Sequence, residues 1–272
     1  MLNLKKSVES RGVVVIAFNT QIDYVSIADQ TSRLITHFTG MPVTLITEST
    51  SKPKFKYDQI IQTDSHQSNY RLNNNYELID WKNFNRWQAY ELSPYDKTLL
   101  VDCDYLMLDD NLIKLFDTEF DYRIMHCNQI SKGPTNDHMG RLGLPMVWAT
   151  AVLFKKTARA KMFFNLIGRI QRNYNYYRQL YNIREQNYRN DYAFAIANII
   201  LNGYSIDQHQ SIPWSMFSIF DSIDKIDLDG CLLKVSHGDT ATVIPKQNIH
   251  ILDKKYLQSS NFQLLVDRLC ES

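Results

Sequence analysis

This chain of 272 residues is poor in glycine and proline, with nine and seven respectively. So few chain-breakers leave little room for long disordered linkers, and no internal repeat or low-complexity block is present. Cysteine is also scarce. Cys103, Cys127, Cys231 and Cys270 form no C-x-x-C pair and have no regular spacing. That pattern argues against a disulfide framework and a cysteine zinc site, and reads as reduced thiols in a cytoplasmic protein. No apolar run reaches membrane-spanning length. Residues 13–18 make only six, and the charged stretch 1–11 lacks the apolar core of a signal peptide. There is no G-x-G-x-x-G and no G-x-x-x-x-G-K-[ST], which disfavours a Rossmann dinucleotide enzyme and a P-loop kinase. A large net charge is missing too, since the whole chain carries only +1.

What is present begins with a β-α-β pattern. Residues 12–18 are a continuous apolar run, as expected of a buried strand. Residues 23–38 follow at helical spacing until Gly40 and Pro42 stop them, and 42–47 read as a second strand. Such a unit implies a parallel sheet with a right-handed crossover. Residues 49–75 read as polar and turn-rich, with Asn73-Asn74-Asn75 in a loop. Residues 80–92 read as a helix ended by Ser93-Pro94, and 98–101 as a strand. Residues 112–116 suggest a short helix, 122–127 a strand, and 128–145 a long loop. A strand over 147–154 precedes a long basic helix or helix pair over 157–181 and an apolar helix over 191–201. A looser segment from Ile212 leads to strands at 231–235, 243–244 and 249–252, and a last helix covers 262–269.

The most informative residues are Val101-Asp102-Cys103-Asp104-Tyr105. Alternate side chains of a strand share a face. The two carboxylates therefore point the same way at a carboxyl strand end, where open α/β sheets hold their ligands. Paired hard oxygen donors suit Mg²⁺ or Mn²⁺ holding phosphate oxygens. The plain alternative is a solvated strand end.

The order of the pieces resembles the GT-A class of nucleotide-sugar glycosyltransferases, especially the glycogenin-like group and its bacteriophage-encoded relatives. The resemblance is carried by residues 13–19 with Asp23-Tyr24, by Asn85-Arg86-Trp87-Gln88-Ala89-Tyr90 leading into Asp102-Cys103-Asp104, and by residues 147–154, Asn190-Asp191 and Ile249-His250. It spans roughly residues 12–255. It implies one α/β domain over residues 1–272 with a mixed, mainly parallel sheet flanked by helices. A nucleotide-binding half covers about 1–104 and an acceptor half about 105–272. It also implies a hexosyl- or pentosyltransferase using Mn²⁺ or Mg²⁺ and a nucleoside diphosphate sugar, a UDP-sugar first among them.

On this resemblance, Asp102, Asp104 and His250 hold the metal, with Asp102 touching the metal or the ribose. His237, in a turn-like Ser236-His237-Gly238-Asp239, is the rival ligand. Asn19, Asp23 and Tyr24 fall at the nucleotide pocket, Arg86 at a phosphate or sugar hydroxyl, and Asp191 at the acceptor hydroxyl as orienting group or base. Helix capping for Asp23, packing for Tyr24, a salt bridge for Arg86 and a helix-dipole role for Asp191 are the structural alternatives. One departure stands out. The group's Asn-Ala-Gly stretch is replaced by Trp148-Ala149-Thr150-Ala151.

Charge is uneven. From Lys155 to Asn190 there are nine basic residues against Glu185 alone, a net +8, which leaves −7 for the rest. Phe163, Phe164, Tyr174, Tyr176, Tyr177, Tyr181 and Tyr188 are interleaved with them. Cations among aromatics fit a polyanion track with stacking platforms, so a DNA acceptor such as a hydroxymethylated phage base is one expectation. The same pattern also fits a solvated helix with aromatics in the core. Protein or glycan acceptors, a nucleotidyltransferase, and a non-catalytic nucleic-acid-binding protein are the competing readings. The nucleotidyltransferase usually needs a phosphate-binding loop after the first strand, which Asn19-Thr20-Gln21 does not offer.

Overall fold

The computed structural model describes residues 9–63, 69–72, 78–83, 85–126, 128–130, 138–139, 144–145, 147–205 and 210–271. Cys127, Asn73-Asn74-Asn75 and most of the expected 128–145 loop lie outside them. Strand β1 (Arg11–Ile16) leads to helix α1 (Tyr24–Thr39), β2 (Val43–Thr47) and β3 (Gln59–Gln62). Next come β4 (Asn69–Leu72), β5 (Leu78–Trp81), a 3₁₀ turn (Arg86–Gln88), one turn of α2 (Ala89–Leu92) and β6 (Lys97–Asp102). The expected helix over 80–92 is thus helical only from Arg86 onward, as a 3₁₀ turn followed by one turn of α2. Its first residues pair with β4 as a hairpin instead. Segment 49–75 likewise contains two strands, β3 and β4, that its polar composition concealed.

The chain continues through β7 (Tyr105–Leu106), α3 (Asn111–Lys114), β8 (Tyr122–Met125), β9 (Asn128–Ile130), β10 (His138–Met139), β11 (Leu144–Pro145) and β12 (Trp148–Lys155). Helices α4 (Ala158–Arg172), α5 (Tyr174–Leu180) and α6 (Asn190–Leu201) follow. Last are β13 (Met216–Ile219), β14 (Lys225–Asp229), β15 (Leu232–His237), β16 (Thr240–Pro245), β17 (Ile249–Ile251), α7 (Lys254–Leu257) and α8 (Ser260–Glu271).

The main sheet has the order β3-β2-β1-β6-β12-β8. β3, β2, β1 and β6 are parallel, and β12 runs antiparallel between β6 and β8. Both faces are covered, which explains why Val13–Ile16 of β1 are apolar at every position rather than alternately. Val13 and Val15 pack with α1 and α8, and Val14 and Ile16 with α4 and α6. Each such fully buried side chain contributes about 1.5–3 kcal/mol. The start of α1 is set by Asp23, whose carboxylate accepts from the Ser26 N–H at 3.0 Å.

A second sheet, β7-β17-β13-β9, stands at the carboxyl end of the first. The chain enters it directly from β6 through the Asp102–Asp104 turn, and again after β8. Among the described residues, no helix is long and apolar enough to cross a membrane.

The basic segment forms a helix pair. Six of its seven aromatics are buried, and Tyr176, at 64 % exposure, is the exception. The expectation of an aromatic stacking track is corrected accordingly. Spacings of three and four residues turn these rings into the core shared with α6. Phe163 stacks on Tyr122, with ring centres 3.9 Å apart.

Candidate functional site

Asp102 ends β6, Asp104 follows the turn, and His250 lies on β17, which pairs with β7 so that His250 is opposite Tyr105. One ligand atom from each of these three residues lies within 4.8 Å of the other two. His250 Nε2 is 3.4 Å from Asp104 Oδ1. Its other nitrogen, Nδ1, is 3.3 Å from the hydroxyl of Ser218, a fully buried residue on β13. That contact orients the ring, as partners of metal-binding histidines commonly do. The Trp148 indole meets the His250 ring edge-on, with centroids 5.8 Å apart.

Asp104 Oδ1 is buried and has no hydrogen bond. A buried carboxylate oxygen without a hydrogen bond, facing an imidazole nitrogen, is the expected state of ligands arranged for a cation, so these residues fit a divalent ion. Oxygen donors suit Mg²⁺ and Mn²⁺ alike, and the imidazole favours Mn²⁺. His237 is elsewhere. It closes the β15–β16 hairpin and its Nδ1 contacts the Ser222 carbonyl at 2.7 Å.

The two carboxyls differ electrostatically. Burial raises the pKa of Asp102, with Arg86 opposing and the Asp104 charge adding to the rise. Burial also works upward on Asp104, but Lys254 and His250 together outweigh it and hold that carboxyl below the ordinary range. Lys254, on α7, pairs directly with Asp104 Oδ2. Cys103 between them is buried and its thiol is pushed up, chiefly by burial, so it is poorly suited to act as a thiolate nucleophile.

Arg86 is almost fully buried. Its guanidinium donates to Asp102 Oδ1 at 2.6 Å and to the Thr150 carbonyl at 3.2 Å. The adjacent Trp87 lies against Gly168 of α4, where an added Cβ would sit 2.8 Å from the indole. A glycine there lets the segment carrying Arg86 press against α4. Asn83 Nδ2 is 3.5 Å from Asp102 Oδ1, and the Asn83 carbonyl accepts from Asn190 Nδ2 at 2.8 Å. Asp191, in the first turn of α6, accepts from the Ala149 N–H at 3.0 Å and from Arg189 at 3.1 Å.

Sequence reasoning missed Lys254, Ser218 and Asn83, and it named Asn190 only with Asp191, without a role. For Lys254 a signal existed, since it follows His250 by four residues just after the Asp253 helix cap. Asn19 Oδ1 accepts from the Val25 N–H at 2.9 Å, and the Asp23 carboxylate caps α1, so both also secure this helix start. Tyr24 is half-buried against the core. A cavity of about 410 Å³ opens beside Asn83, lined also by Ile16, Phe18, Ile46, Lys82 and Trp87.

No protein-family model matches the sequence, and no curated protein sequence matches it. Solved structures do. The glycosyltransferase GlyE of Streptococcus pneumoniae is similar at TM-score 0.43 and 13 % identity over 76 % of this chain, which spans 46 % of GlyE. LgtC, solved as an active-site mutant, matches at TM-score 0.53 and 13 % identity, over 96 % of this chain and 94 % of LgtC. The galactosyltransferase LgtC in complex with donor and acceptor sugar analogs matches at TM-score 0.50 and 15 % identity over the same shares. The mainly parallel sheet flanked by helices, with Asp102-Cys103-Asp104 at the end of β6, therefore has the GT-A type glycosyltransferase fold of LgtC.

Proposed function

We propose that this protein is a metal-dependent glycosyltransferase. It moves a sugar from a nucleoside diphosphate donor, a UDP-sugar first among the candidates, to an acceptor hydroxyl. The observation that carries this is the donor set at the carboxyl edge of the main sheet. Two carboxylates and an imidazole converge there, and one buried carboxylate oxygen is left without a hydrogen bond. Asp102, Asp104 and His250 would hold Mn²⁺ or Mg²⁺, and a bound ion neutralises the diphosphate leaving group.

The chain's own residues do the rest. Lys254 supplies a second positive charge beside the same site. Arg86 fixes the Asp102 rotamer and ties it to β12. Asp191 is the acceptor-side carboxylate in this reading. Its Oδ1 holds the Ala149 amide, and Oδ2, held by the more exposed Arg189, is the arm that orients a hydroxyl. Asn19, Asp23 and Tyr24 meet the nucleotide through the start of α1, with the Tyr24 ring stacking on the base.

For the acceptor, a hydroxymethylated base in phage DNA is supported by surface cations near the site. Arg172 lies over the Trp87 ring beside Arg86, Arg189 pairs with Asp191, and Arg184 is exposed on the loop between them. Arginine suits phosphodiester contacts. The burial of the aromatics removes the stacking half of that argument, so glycan and protein acceptors stand beside DNA. The free thiols of Cys103, Cys231 and Cys270 support a cytoplasmic setting.

The test is release of nucleoside diphosphate from a panel of nucleotide sugars with Mn²⁺, with and without duplex DNA. Metal-dependent release that Asp104→Ala abolishes is expected. No release from any donor, or equal release by the variant, sinks the reading. Metal-independent DNA binding with a steep salt dependence would favour a non-catalytic binder.

A further inference from the structure

Strand β12 begins with a gap. Its ladder with β6 starts only at Ala151, opposite Val101, and its register with β8 breaks between Trp148 and Val152. Ala149 and Thr150 lie in that gap and are buried. Buried backbone groups outside a ladder must find partners elsewhere. The Ala149 N–H donates to Asp191 Oδ1 at 3.0 Å, and the Thr150 carbonyl accepts from Arg86 at 3.2 Å. One irregular stretch of strand therefore engages two side chains of the candidate site.

A further bond joins the segments that those two side chains come from. Asn190, the residue before Asp191, donates from Nδ2 to the Asn83 carbonyl at 2.8 Å, and Asn83 shares a segment with Arg86. The Asn83–Arg86 segment, the Ala149–Thr150 stretch and the start of α6 are thus tied pairwise into a three-sided frame. Asp102 is fixed to one corner, where its Oδ1 accepts from Arg86 at 2.6 Å and from Asn83 at 3.5 Å. Asp191 stands at another. Arg86 and Asp191 make two of the sides themselves. Asn190 makes the third and has no part in the reaction as drawn so far.

The Asn190 amide is held at both ends. A carbonyl only accepts, so Asn83 dictates that the Asn190 nitrogen faces it. Oδ1 is left for the Tyr188 hydroxyl, 3.1 Å away. Tyr188 in turn stacks on Trp81 at 6.0 Å between ring centres and meets Tyr174 edge-on at 5.5 Å. Asn190 is buried, and this side chain is built into the frame rather than turned toward a ligand. Three bodies joined by two bonds keep a hinge, and a third bond removes it.

We infer that Asn190 is a positioning residue: by closing the frame it fixes Asp191 relative to Asp102, and so sets the acceptor-side carboxylate against the ion-binding one. The frame belongs to the folded chain alone, whereas its use in a reaction rests on the glycosyl-transfer reading. Misplacing a reacting group by about 1 Å can cost about 100-fold in rate, so closing a hinge here matters to turnover.

The experiment is amide hydrogen exchange of the full chain by NMR, on the wild type, Asn190→Ala and Tyr188→Phe. The Ala149 amide reports the Asp191 side of the frame, and the Val152 and Leu153 amides report the strand. Asn190→Ala should speed exchange at Ala149 at least about tenfold and leave Val152 and Leu153 within about twofold. Tyr188→Phe keeps the bond to Asn83, so Ala149 should change less than about threefold. If the far-UV spectrum shows that Asn190→Ala does not fold, the near-isosteric Asn190→Asp replaces it. Diphosphate release from UDP-glucose and UDP-galactose with Mn²⁺ is measured in parallel. There kcat should fall at least about tenfold in Asn190→Ala, with KM for the donor within about threefold. An unchanged Ala149 amide overturns the inference, and so does a parallel rise at Ala149, Val152 and Leu153, which marks a loss of overall stability. Faster exchange at Ala149 with kcat unchanged overturns the positioning role and leaves the transferase reading standing. A wild type that releases diphosphate from neither sugar counts against the transferase reading, and the Ala149 amide then decides the frame by itself.

Discussion

The two ends of β6 hold acidic residues in opposite states. Before its amino end, Asp96 accepts from both the backbone N–H and the hydroxyl of Ser10 at 2.9 Å, and these bonds hold its pKa down. Beside it Lys97 pairs with Glu9 at 2.7 Å and donates to the Phe116 carbonyl. Every named group there has a partner. At the carboxyl end, Asp104 Oδ1, Asn83 Oδ1 and the His126 nitrogens are buried without a hydrogen bond. The same strand is thus closed off at one end and left incomplete at the other. Satisfied polar groups secure the fold, and buried groups without a hydrogen bond call for an explanation, which at the carboxyl end is the proposed ion.

Four substitutions test that contrast. The largest effect is expected at Asp104, where Asp104→Asn should lower metal-dependent diphosphate release at least about 100-fold, measured at saturating donor. Ser218→Ala should come next. It removes the partner of His250 Nδ1 and should weaken Mn²⁺ binding by roughly tenfold in calorimetry, with the far-UV spectrum unchanged.

His126 gives a pH signature. Its folded pKa lies below the ordinary value, so the unfolded chain takes up the proton first as pH falls. Stability should therefore be complete above about pH 6.5 and decline below it, by at most about 1.4 kcal/mol per pH unit. Urea titrations across pH 5–7 should show that component vanish in His126→Gln. The smallest effect belongs to the closed end. Asp96→Asn keeps an acceptor for Ser10, so it should cost no more than about 1 kcal/mol in urea and leave turnover within twofold. A loss of turnover there matching Asp104→Asn would erase the distinction between the two ends.

Much of the fold was legible because both faces of the sheet are covered. β1 and β6 carry unbroken apolar runs at 13–16 and 99–101, and the helix between β1 and β2 has clear stops in Gly40 and Pro42. The paired aspartates were readable for the same reason, since they close such a run. Ser218 was not, because β13 is four residues long with no flanking alternation, and its strand character comes from neighbours β17 and β9. Asn83 and Asn190 act through amide contacts made across distant segments, which leave no local pattern. The aromatics of α4 and α5 were read as two things at once. Phe163, Phe164, Tyr174 and Tyr177, together with Ile167 and Ile170, follow helical pitch, and that periodicity decides for the core.

The proposed ion ligands come from opposite parts of the chain, and the Asp104–Lys254 pair alone spans 150 residues. A cation held by Asp102, Asp104 and His250 would act as a removable staple between β6 and β17. It would bind the folded chain and not the unfolded one, so stability would become a function of ion concentration, rising by about 2.7 kcal/mol at 100 times the dissociation constant. A melting curve recorded in chelator and one recorded in Mn²⁺ would then belong, in effect, to two different proteins.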